Sequence, residues 1–311
     1  MRAVVMREFG PPEVLEAAEV AEPEAGPGEV VIEAEFANVT FVETQIRAGR
    51  APHPSLLPAL PAILGNGTGG TVAGRRVVAS LNGTGGYAER VVADAGRLIE
   101  VPDELSLRDA VALLADGRTA LSLVGRAGLA AGETVLVEAA AGGVGTLLVQ
   151  LARQAGARVV ALAGEPGKLA LARDLGADVA VDYRHGDWPD AVRAAAGQVD
   201  VVFDGVGGEV GRAAFGLLSR GGRFYPFGMA SGSFAPVTPE LAAEHGITLL
   251  GGGPANAEEA AALTRRALAE AAAGRLRPVV GQEFGLAEAS AAHAAIEARA
   301  TVGKTLLAVP R

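Results

Sequence analysis

The sequence predicts an α/β protein in which a β-rich region precedes a doubly wound parallel sheet. Two observations support this prediction. Residues 1 to about 105 contain short β-branched runs separated by Gly and Pro clusters, which is typical of strands joined by irregular loops. Beyond residue 106, strand-like runs alternate with helix-like segments, and this alternation indicates a parallel sheet covered by helices.

The stretch 134–155 organises the second region. Residues 134–137 form an apolar, β-branched run, and the hydrophobic period then changes from strand-like to helical across a group of glycines. Ala140, Gly142 and Gly145 match the G-x-G-x-x-G template, with Ala in the first place. Small residues there let a dinucleotide pyrophosphate approach the backbone at the positive end of the helix. The alternative is an ordinary strand-to-helix turn that binds nothing.

The strands predicted for the first region are 3–6, 30–35, one at Val72, 77–79, 87–92 and 98–101. Residues 51–61 and the glycine-rich run 65–70 are predicted as loops, the second leading into the strand at Thr71. Ser106 and Asp109 resemble a capping box that opens a helix to about Leu114.

The second region is predicted to alternate strands at Val135, Val159, Val179, 199–204, 222–227 and 248–250 with helices at 119–126, 144–155, 167–175, 188–196, 207–219 and 257–273. The last forty residues return to a mixed pattern. They end in a strand at 305–309, which could rejoin the first sheet.

Composition excludes several classes of function. The chain has 311 residues, 50% of them hydrophobic, and a net charge of −9, which argues against a nucleic-acid or anionic-membrane surface. It has no cysteine and only four scattered histidines, so no metal signature is present. The amino end is too poor in apolar residues for a signal peptide, and no 18-residue apolar run occurs. Small-molecule ligands and a cytoplasmic location are expected.

Short segments in characteristic order run along almost the whole chain: Gly28-Glu29-Val30, Arg47-Ala48-Gly49, Gly86-Tyr87-Ala88-Glu89, Thr119-Ala120, residues 139–145, Gln150-Leu151-Ala152, Gly176-Ala177-Asp178, Asp204-Gly205-Val206-Gly207-Gly208, Gly221-Gly222-Arg223 and Gly303-Lys304. They resemble the zinc-independent quinone oxidoreductase branch of the medium-chain dehydrogenase/reductase family. The resemblance implies a GroES-like β-rich catalytic domain at residues 1–113, a Rossmann domain that binds NADPH at 114–252, and a return to the catalytic domain at 253–311. It also implies a homodimer, and NADPH in the cleft between the domains.

The expected NADPH-binding residues combine the glycine turn with positions that the resemblance implies: Thr119, Gly142, Gly143, Val144, Gly145, Gly164, Lys168, Tyr183, Val206, Phe227, Gly228 and Lys304.

The choice of cofactor depends on the end of the second strand of the sheet, where a carboxylate would bind the ribose 2′-hydroxyl of NAD. Ala163 and Gly164 occupy that place, and Lys168 follows as a counter-charge for a 2′-phosphate, which favours NADPH. Family resemblance adds Tyr183 as a contact. Glu165 could turn inward and let NADH compete, and Lys168 could instead be a solvated charge at the start of a helix.

Zinc-dependent members carry Cys in one metal-binding segment and Gly-His-Glu in another. Thr40 matches the Cys, and Gly65-Asn66-Gly67 matches the triplet, so neither a soft nor a basic ligand is present. Chemistry without a metal is expected.

The resemblance implies a reductase that transfers hydride from the nicotinamide to a quinone or a similar electrophilic carbonyl acceptor. The quinone reductases resembled carry Asn at the position of Thr40 and Tyr at those of Gln45 and Ala51. The Thr40 hydroxyl is the candidate catalytic group, a hydrogen-bond partner for the nicotinamide or the acceptor carbonyl. Thr40 and Phe41 could equally be plain strand or loop residues. The alternative functions are an alkenal or enoyl reductase and a redox-inactive protein that binds NADPH as a sensor or structural element.

Overall fold

The computed structural model describes residues 1–51, 53–81, 83–254 and 256–310. Its strands are β1 (Arg2–Met6), β2 (Leu15–Glu19), β3 (Glu29–Val39), β4 (Ala62–Ile63), β5 (Gly67–Val72), β6 (Arg75–Ser80), β7 (Arg90–Asp94), β8 (Ile99–Glu100), β9 (Thr134–Val137), β10 (Arg158–Ala163), β11 (Val179–Asp182), β12 (Val199–Asp204), β13 (Leu218–Pro226), β14 (Thr248–Leu249), β15 (Val280–Gly285) and β16 (Lys304–Ala308). Its helices are α1 (Phe41–Arg47), α2 (Leu107–Ala127), α3 (Gly143–Gln154), α4 (Pro166–Asp174), α5 (Trp188–Ala196), α6 (Gly208–Phe215), α7 (Pro239–His245), α8 (Ala257–Ala272) and α9 (Ala289–Glu297).

The chain divides into two compact units. Unit 1 comprises Met1–Arg118 and Ala261–Arg311, and unit 2 is Thr119–Ala260. The α/β fold class predicted from the sequence is confirmed, since unit 1 is β-rich and unit 2 is built on a parallel sheet. Within the described residues, no helix has both the length and the apolar character needed to cross a membrane.

Unit 1 contains a large sheet in the order β15-β16-β3-β5-β6-β8, with β7 also paired to β3, and a small sheet in the order β2-β1-β4. The predicted return of the chain end to the first sheet is confirmed, because β16 pairs antiparallel with β3, with Thr305 opposite Val39. Inward-facing side chains such as Val4, Ile32 and Leu64 form the hydrophobic core of unit 1.

Unit 2 is a parallel sheet in the order β11-β10-β9-β12-β13-β14. From β9 the chain continues to β10 on one side and later to β12 on the other. This is the point where the strand order reverses, and open α/β sheets bind ligands in the crevice outside the carboxyl ends of the strands there. A binding site in unit 2 is therefore expected at the carboxyl ends of β9, β10 and β12.

The glycine-rich run at 65–70 is not a loop throughout, as the sequence predicted. Strand β5 already begins at Gly67. A Cβ on Gly69 would lie 2.3 Å from Val111 Cγ2, and one on Gly70 would lie 2.0 Å from the carbonyl oxygen of Glu33. These glycines let a helix and a neighbouring strand approach the backbone, which is a role of glycine inside a strand.

Other boundaries differ from the prediction. The two helices expected at 107–114 and 119–126 are one helix, α2, which Gly117 does not interrupt. Glycine at this position makes room for Ala267, because an added Cβ would lie 2.8 Å from the Ala267 Cβ. The helix predicted at 207–219 ends at Phe215, since the chain re-enters the sheet as β13 at Leu218. Helices α1, α7 and α9 and strands β2, β4 and β15 were missed. Part of the predicted loop 51–61 is a 3-10 turn, Pro54–Leu56; Pro52 lies outside the described residues.

Candidate functional site

The glycine turn follows β9 and opens α3. Ala139 has a φ of 47°, in the left-handed region, and Gly142 caps the helix. A Cβ on Gly145 would lie only 2.2 Å from the carbonyl oxygen of Ala139, so this close approach requires glycine. The first N–H groups of α3 have no partner within the helix and carry its positive end. A turn bare of side chains at such an end is suited to an anionic phosphate group.

A second group of predicted residues lies beside this turn, after β12. The backbone N–H groups of Phe227 and Gly228 donate to the carbonyl oxygen of Asp204, at 2.9 and 3.1 Å. The N–H of Val206 donates to Glu138 Oε2 at 3.1 Å, and Glu138 directly follows β9. The structure therefore brings Val206, Phe227 and Gly228 to the edge of the sheet that bears the glycine turn.

Sequence reasoning missed the two buried acids of this group. Glu138 and Asp204 are both 0% exposed. The signal was an acid at the end of an otherwise apolar strand, in Val-Leu-Val-Glu and again in Val-Val-Phe-Asp. Acids at such positions are almost never buried without a partner.

The end of β10 carries the residues predicted to select the cofactor. Ala163 ends the strand, and the backbone N–H of Tyr183 donates to its carbonyl oxygen at 3.4 Å. Lys168 Nζ lies 3.8 Å from Glu165 Oε2, and the Lys168 side chain is 14% exposed. Glu165 has a φ of 71°, an uncommon conformation for a residue other than glycine. Lys168 and Tyr183 are thus at the same sheet edge as Gly164.

Arg184 was not singled out from the sequence. A Cβ on Gly164 would lie 3.0 Å from Arg184 Cδ, so the arginine stem packs over this glycine. Its Nη2 donates to Asp182 Oδ2 at 2.7 Å, and hydrogen bonding by Arg184 holds the pKa of the Asp182 carboxyl well below its usual range. Arg184 therefore adds a second cation to the edge that carries Lys168.

In unit 1, Thr40 is the N-cap of α1. Glu43 Oε2 accepts the Thr40 backbone N–H at 2.6 Å and the Thr40 hydroxyl at 3.0 Å. Glu43 Oε1 accepts the N–H of Asn66 at 2.6 Å. The Glu43 side chain is fully buried; burial raises its pKa, while the N–H donors of Thr40 and Asn66 oppose that rise. Thr40 thus connects β3 to α1 as the helix N-cap, and Phe41 is the first residue of α1. The Thr-x-x-Glu spacing of a capping box could have indicated this helix start.

Two further buried side chains continue this network. The Tyr87 hydroxyl lies 3.3 Å from Glu43 Oε2 and 3.0 Å from His293 Nε2. Burial, assisted by the charge of Arg47, lowers the pKa of His293 from 6.5 to about 3, so its imidazole is neutral at neutral pH. The Thr40 hydroxyl consequently stands at the end of a buried polar chain that includes Glu43, Tyr87 and His293.

Comparison with known proteins identifies the family. A family model described as "Zinc-binding dehydrogenase" matches residues 143–266. "Quinone oxidoreductase-like protein 2" of Bos taurus is 33% identical over 99% of this chain and 92% of its own length. "2-haloacrylate reductase" of a Burkholderia species is 31% identical over 99% of this chain and 98% of its own. The quinone oxidoreductase from Thermus thermophilus, solved alone and with NADPH, is 37% identical, with a TM-score of 0.83 and coverage of 99% and 100%.

The chain belongs to the zinc-independent quinone oxidoreductase branch of the medium-chain dehydrogenase/reductase family.

Two residues of this chain that match metal-binding positions of zinc-dependent members contact the same carboxyl group, that of Glu43. Thr40 and Asn66, which match two of those positions, both donate to Glu43. Hydroxyl and backbone donors around a buried carboxylate do not form a zinc site, which needs thiolate, imidazole or free carboxylate ligands. Across the described ranges no group of three His, Cys, Asp or Glu side chains is placed to hold a metal ion. The residues present do not fit zinc.

Two predicted cofactor contacts of this quinone oxidoreductase homologue belong to other elements of the fold. Thr119 is part of α2. Lys304 is in unit 1, where its side chain is 5% exposed and its Nζ pairs with Asp116 Oδ1 at 3.0 Å. The structure thus gives Lys304 a buried partner that the sequence did not predict.

Proposed function

We propose that this protein is an NADPH-dependent reductase that transfers hydride to a quinone or a similar electrophilic carbonyl acceptor without a metal. The observation that carries the proposal is the glycine turn at the switch point of the unit 2 sheet, where a Cβ on Gly145 would fill the space beside the Ala139 carbonyl. NADPH supplies the hydride when it is bound. The structures of relatives solved with NADPH support the choice of this cofactor.

Each group of site residues has a distinct role in this proposal. Backbone N–H groups at Gly142, Gly143, Val144 and Gly145 bind the pyrophosphate at the amino end of α3. Lys168, with Tyr183 and Arg184, binds the ribose 2′-phosphate, because charge-assisted hydrogen bonds to phosphate are stronger than neutral ones. Val206, Phe227 and Gly228 contact the remainder of the cofactor. Gly164 makes room for the stem of Arg184, and its own contact with the cofactor remains a prediction. Thr119 and Lys304 remain predictions.

Thr40 is the proposed contact to the nicotinamide amide. A contact to the acceptor carbonyl, which only accepts hydrogen bonds, would require the hydroxyl proton to turn away from Glu43. The Thr40 hydroxyl donates to Glu43, which leaves the oxygen lone pairs of Thr40 available to a ligand donor such as an amide. Glu43 thereby fixes the orientation of the hydroxyl. Orientation of the reactants and exclusion of water are the main contributions asked of this chain, since the cofactor carries the reactive hydride.

The names of the relatives support a quinone as the acceptor, since several are quinone oxidoreductases at about 30% identity over nearly their full length. The test is the oxidation of NADPH by the purified protein against a panel of quinones, enones and alcohols. Turnover with quinones and none with alcohols is expected. Exclusive turnover with alcohols would overturn the proposal.

A second candidate is the reduction of a carbon–carbon double bond, which the similarity to a 2-haloacrylate reductase favours. The two activities differ in where the hydride arrives. With NADPH deuterated at C4 of the nicotinamide, reduction of an enone at carbon leaves deuterium in a non-exchangeable C–H position. Mass spectrometry of the product therefore separates this candidate from quinone reduction, in which the quinol oxygens exchange their hydrogens with water.

The homodimer, the cytoplasmic location, the absence of nucleic-acid and membrane partners, and the domain roles assigned to residues 1–113, 114–252 and 253–311 remain predictions. Sedimentation of the purified protein would test the dimer.

A further inference from the structure

Two acids are buried side by side at the base of the unit 2 crevice. Glu138 directly follows β9, and Asp204 is the last residue of β12, the strand that pairs with β9. Neither side chain is exposed to solvent. Burial of two carboxyl groups on neighbouring strands is costly unless their charges are reduced or compensated.

The two carboxyl groups converge on the same backbone donor. The N–H of Val206 lies 3.1 Å from Glu138 Oε2 and 3.1 Å from Asp204 Oδ1. The N–H of Gly207 adds a hydrogen bond of 2.6 Å to Asp204 Oδ1. Together the two acids hold the turn that follows β12.

Each carboxyl group also has one oxygen without a partner. Among the described residues, Glu138 Oε1 and Asp204 Oδ2 are buried and accept no hydrogen bond. Two carboxylates cannot satisfy each other, because both are acceptors only. A single proton on Glu138 changes this, since the resulting O–H donor has an unpartnered acceptor available on Asp204.

The surroundings favour a proton on Glu138. Burial raises the pKa of Glu138 well above its usual value of 4.5, and the negative charge of Asp204 raises it further. Residues 139–149 and 227–238 contain no titratable side chain. Helix α6 packs against the pair through Gly211, where a Cβ would lie 2.5 Å from Asp204 Oδ2. The charged groups of α6 itself are Glu209 and Arg212, and neither is among the causes of the shift.

We propose that Glu138 and Asp204 share one proton, as a carboxylic acid and a carboxylate, and that this pair positions the turn at Val206 and Gly207 for the bound dinucleotide. The part concerning the dinucleotide rests on the proposed function. The shared proton keeps the pair at one negative charge instead of two. Its loss places a second negative charge beneath a site for an anionic cofactor and removes the bond that joins the two acids. Glu138 is therefore a positioning residue, acting through the turn.

The proton itself can be observed without any cofactor. The infrared spectrum of the wild-type protein at neutral pH is expected to show the C=O stretch of a protonated carboxyl group, and this band should be absent from Glu138→Gln. Asp190→Asn, which changes an exposed acid on α5, is the matched control and should keep the band. Any band from the buried carboxyl group of Glu43 cancels in the difference between the wild-type and Glu138→Gln spectra. A wild-type spectrum without the band, or a difference spectrum without it, would overturn the proposal.

Stability and binding provide the second test. The amide introduced by Glu138→Gln can donate to Asp204 Oδ2 as the protonated acid does. Glu138→Leu removes this donor and leaves Asp204 with only the backbone N–H groups at its Oδ1. We expect Glu138→Leu to weaken NADPH binding by at least about 10-fold at neutral pH, the equivalent of one lost hydrogen bond to a charged group. Glu138→Gln should retain most of the wild-type affinity for NADPH. The NADPH dissociation constant of the wild type should rise at alkaline pH and that of Glu138→Gln should stay flat.

Equal losses of NADPH affinity in Glu138→Gln and Glu138→Leu would contradict the shared proton. If Glu138→Leu does not fold, the infrared comparison and the pH dependence of NADPH binding in wild type and Glu138→Gln still test the shared proton. If the wild type binds no NADPH at any pH, the proposed function fails, whereas the infrared band alone then confirms or refutes the shared proton.

Discussion

The hydroxyl oxygen of Thr40 lies 3.0 Å from Glu43 Oε2, and the same carboxylate oxygen accepts the Thr40 backbone N–H at 2.6 Å. The side chain proposed to contact the nicotinamide amide is therefore also the cap of α1. Because the hydroxyl proton is directed to Glu43, Thr40 meets a ligand mainly with its oxygen lone pairs. This arrangement separates Thr40 from the acid catalysts that donate a proton directly.

Replacement of Thr40 by Val should lower kcat/KM for the quinone by about 10-fold, the value of one ordinary hydrogen bond to a ligand. Thr40→Ser keeps the hydroxyl and should retain most of the activity. Steady-state kinetics on the two folded variants provides the comparison. An unchanged kcat/KM in Thr40→Val would show that Thr40 acts only as the cap of α1.

His293 should make the protein less stable in mild acid. Its pKa is 6.5 in the unfolded chain and about 3 when folded, so between these values the unfolded state binds the proton and the folded state does not. Stability is therefore fully present above the unfolded pKa and falls as the pH decreases toward 3. At about pH 5 the loss from this group is about 2 kcal/mol.

The measurement is the free energy of unfolding in urea at about pH 5 and about pH 8, for wild type and His293→Gln. The Gln variant should show less of the acid destabilisation, while other titrating groups cancel in the comparison. His245→Gln, at an exposed histidine, is the control. The same pH dependence in His293→Gln as in wild type would show that His293 is not buried as a neutral group.

Gly145→Val should abolish NADPH binding. Even the Cβ would lie 2.2 Å from the Ala139 carbonyl oxygen and 2.8 Å from Ala140 Cα, so the turn must move. Gly125→Ala in α2, where a Cβ meets nothing within 4 Å, is the matched control and should bind NADPH normally. Calorimetric titration measures binding, and circular dichroism checks that each variant is folded. Unchanged affinity in folded Gly145→Val would exclude this turn as the phosphate site.

Lys168→Ala should weaken NADPH but leave NADH almost unaffected, because the two cofactors differ only by the 2′-phosphate. A charge-assisted hydrogen bond contributes about 1.5 to 3 kcal/mol, which is roughly one to two powers of ten in affinity. Ala163→Asp should shift the preference further toward NADH. Arg173→Ala, also on α4, is the control and should leave the ratio of the two dissociation constants unchanged.

Equal losses for both cofactors in Lys168→Ala would place the lysine in folding or in pyrophosphate binding. A wild-type preference for NADH would instead indicate that Glu165, which lies 3.8 Å from Lys168, binds the ribose hydroxyls.

Local patterns were sufficient to predict the glycine turn and the alternating elements of unit 2 other than α7, because each depends on a change of hydrophobic period within about twenty residues. They failed where glycine serves tertiary contacts. Gly69 and Gly70 lie in β5, which pairs with β3 and β6, and glycine is needed there because Val111 and Glu33 approach the backbone. Neither neighbour is visible in the local sequence. The same limitation applies to Gly117, which joins two predicted helices into one.

The candidate site was predicted only in part for a related reason. Gly142, Gly145, Lys168 and Tyr183 follow from a motif and a resemblance. The pairing of Glu138 with Asp204 depends on β9 and β12 being neighbours although about sixty residues separate them, and Arg184 gains its place only by packing over Gly164. Such long-range juxtapositions are set by the fold.

The proposed reaction is the reduction of a quinone by NADPH without a metal. The most direct test is the rate of NADPH oxidation with a quinone acceptor, measured before and after dialysis against a strong chelator, with bound metal determined on the same samples. We predict equal kcat before and after dialysis and no stoichiometric zinc. Activity that disappears with the chelator and returns with zinc would contradict the account, as would NADPH binding without oxidation by any quinone or enone.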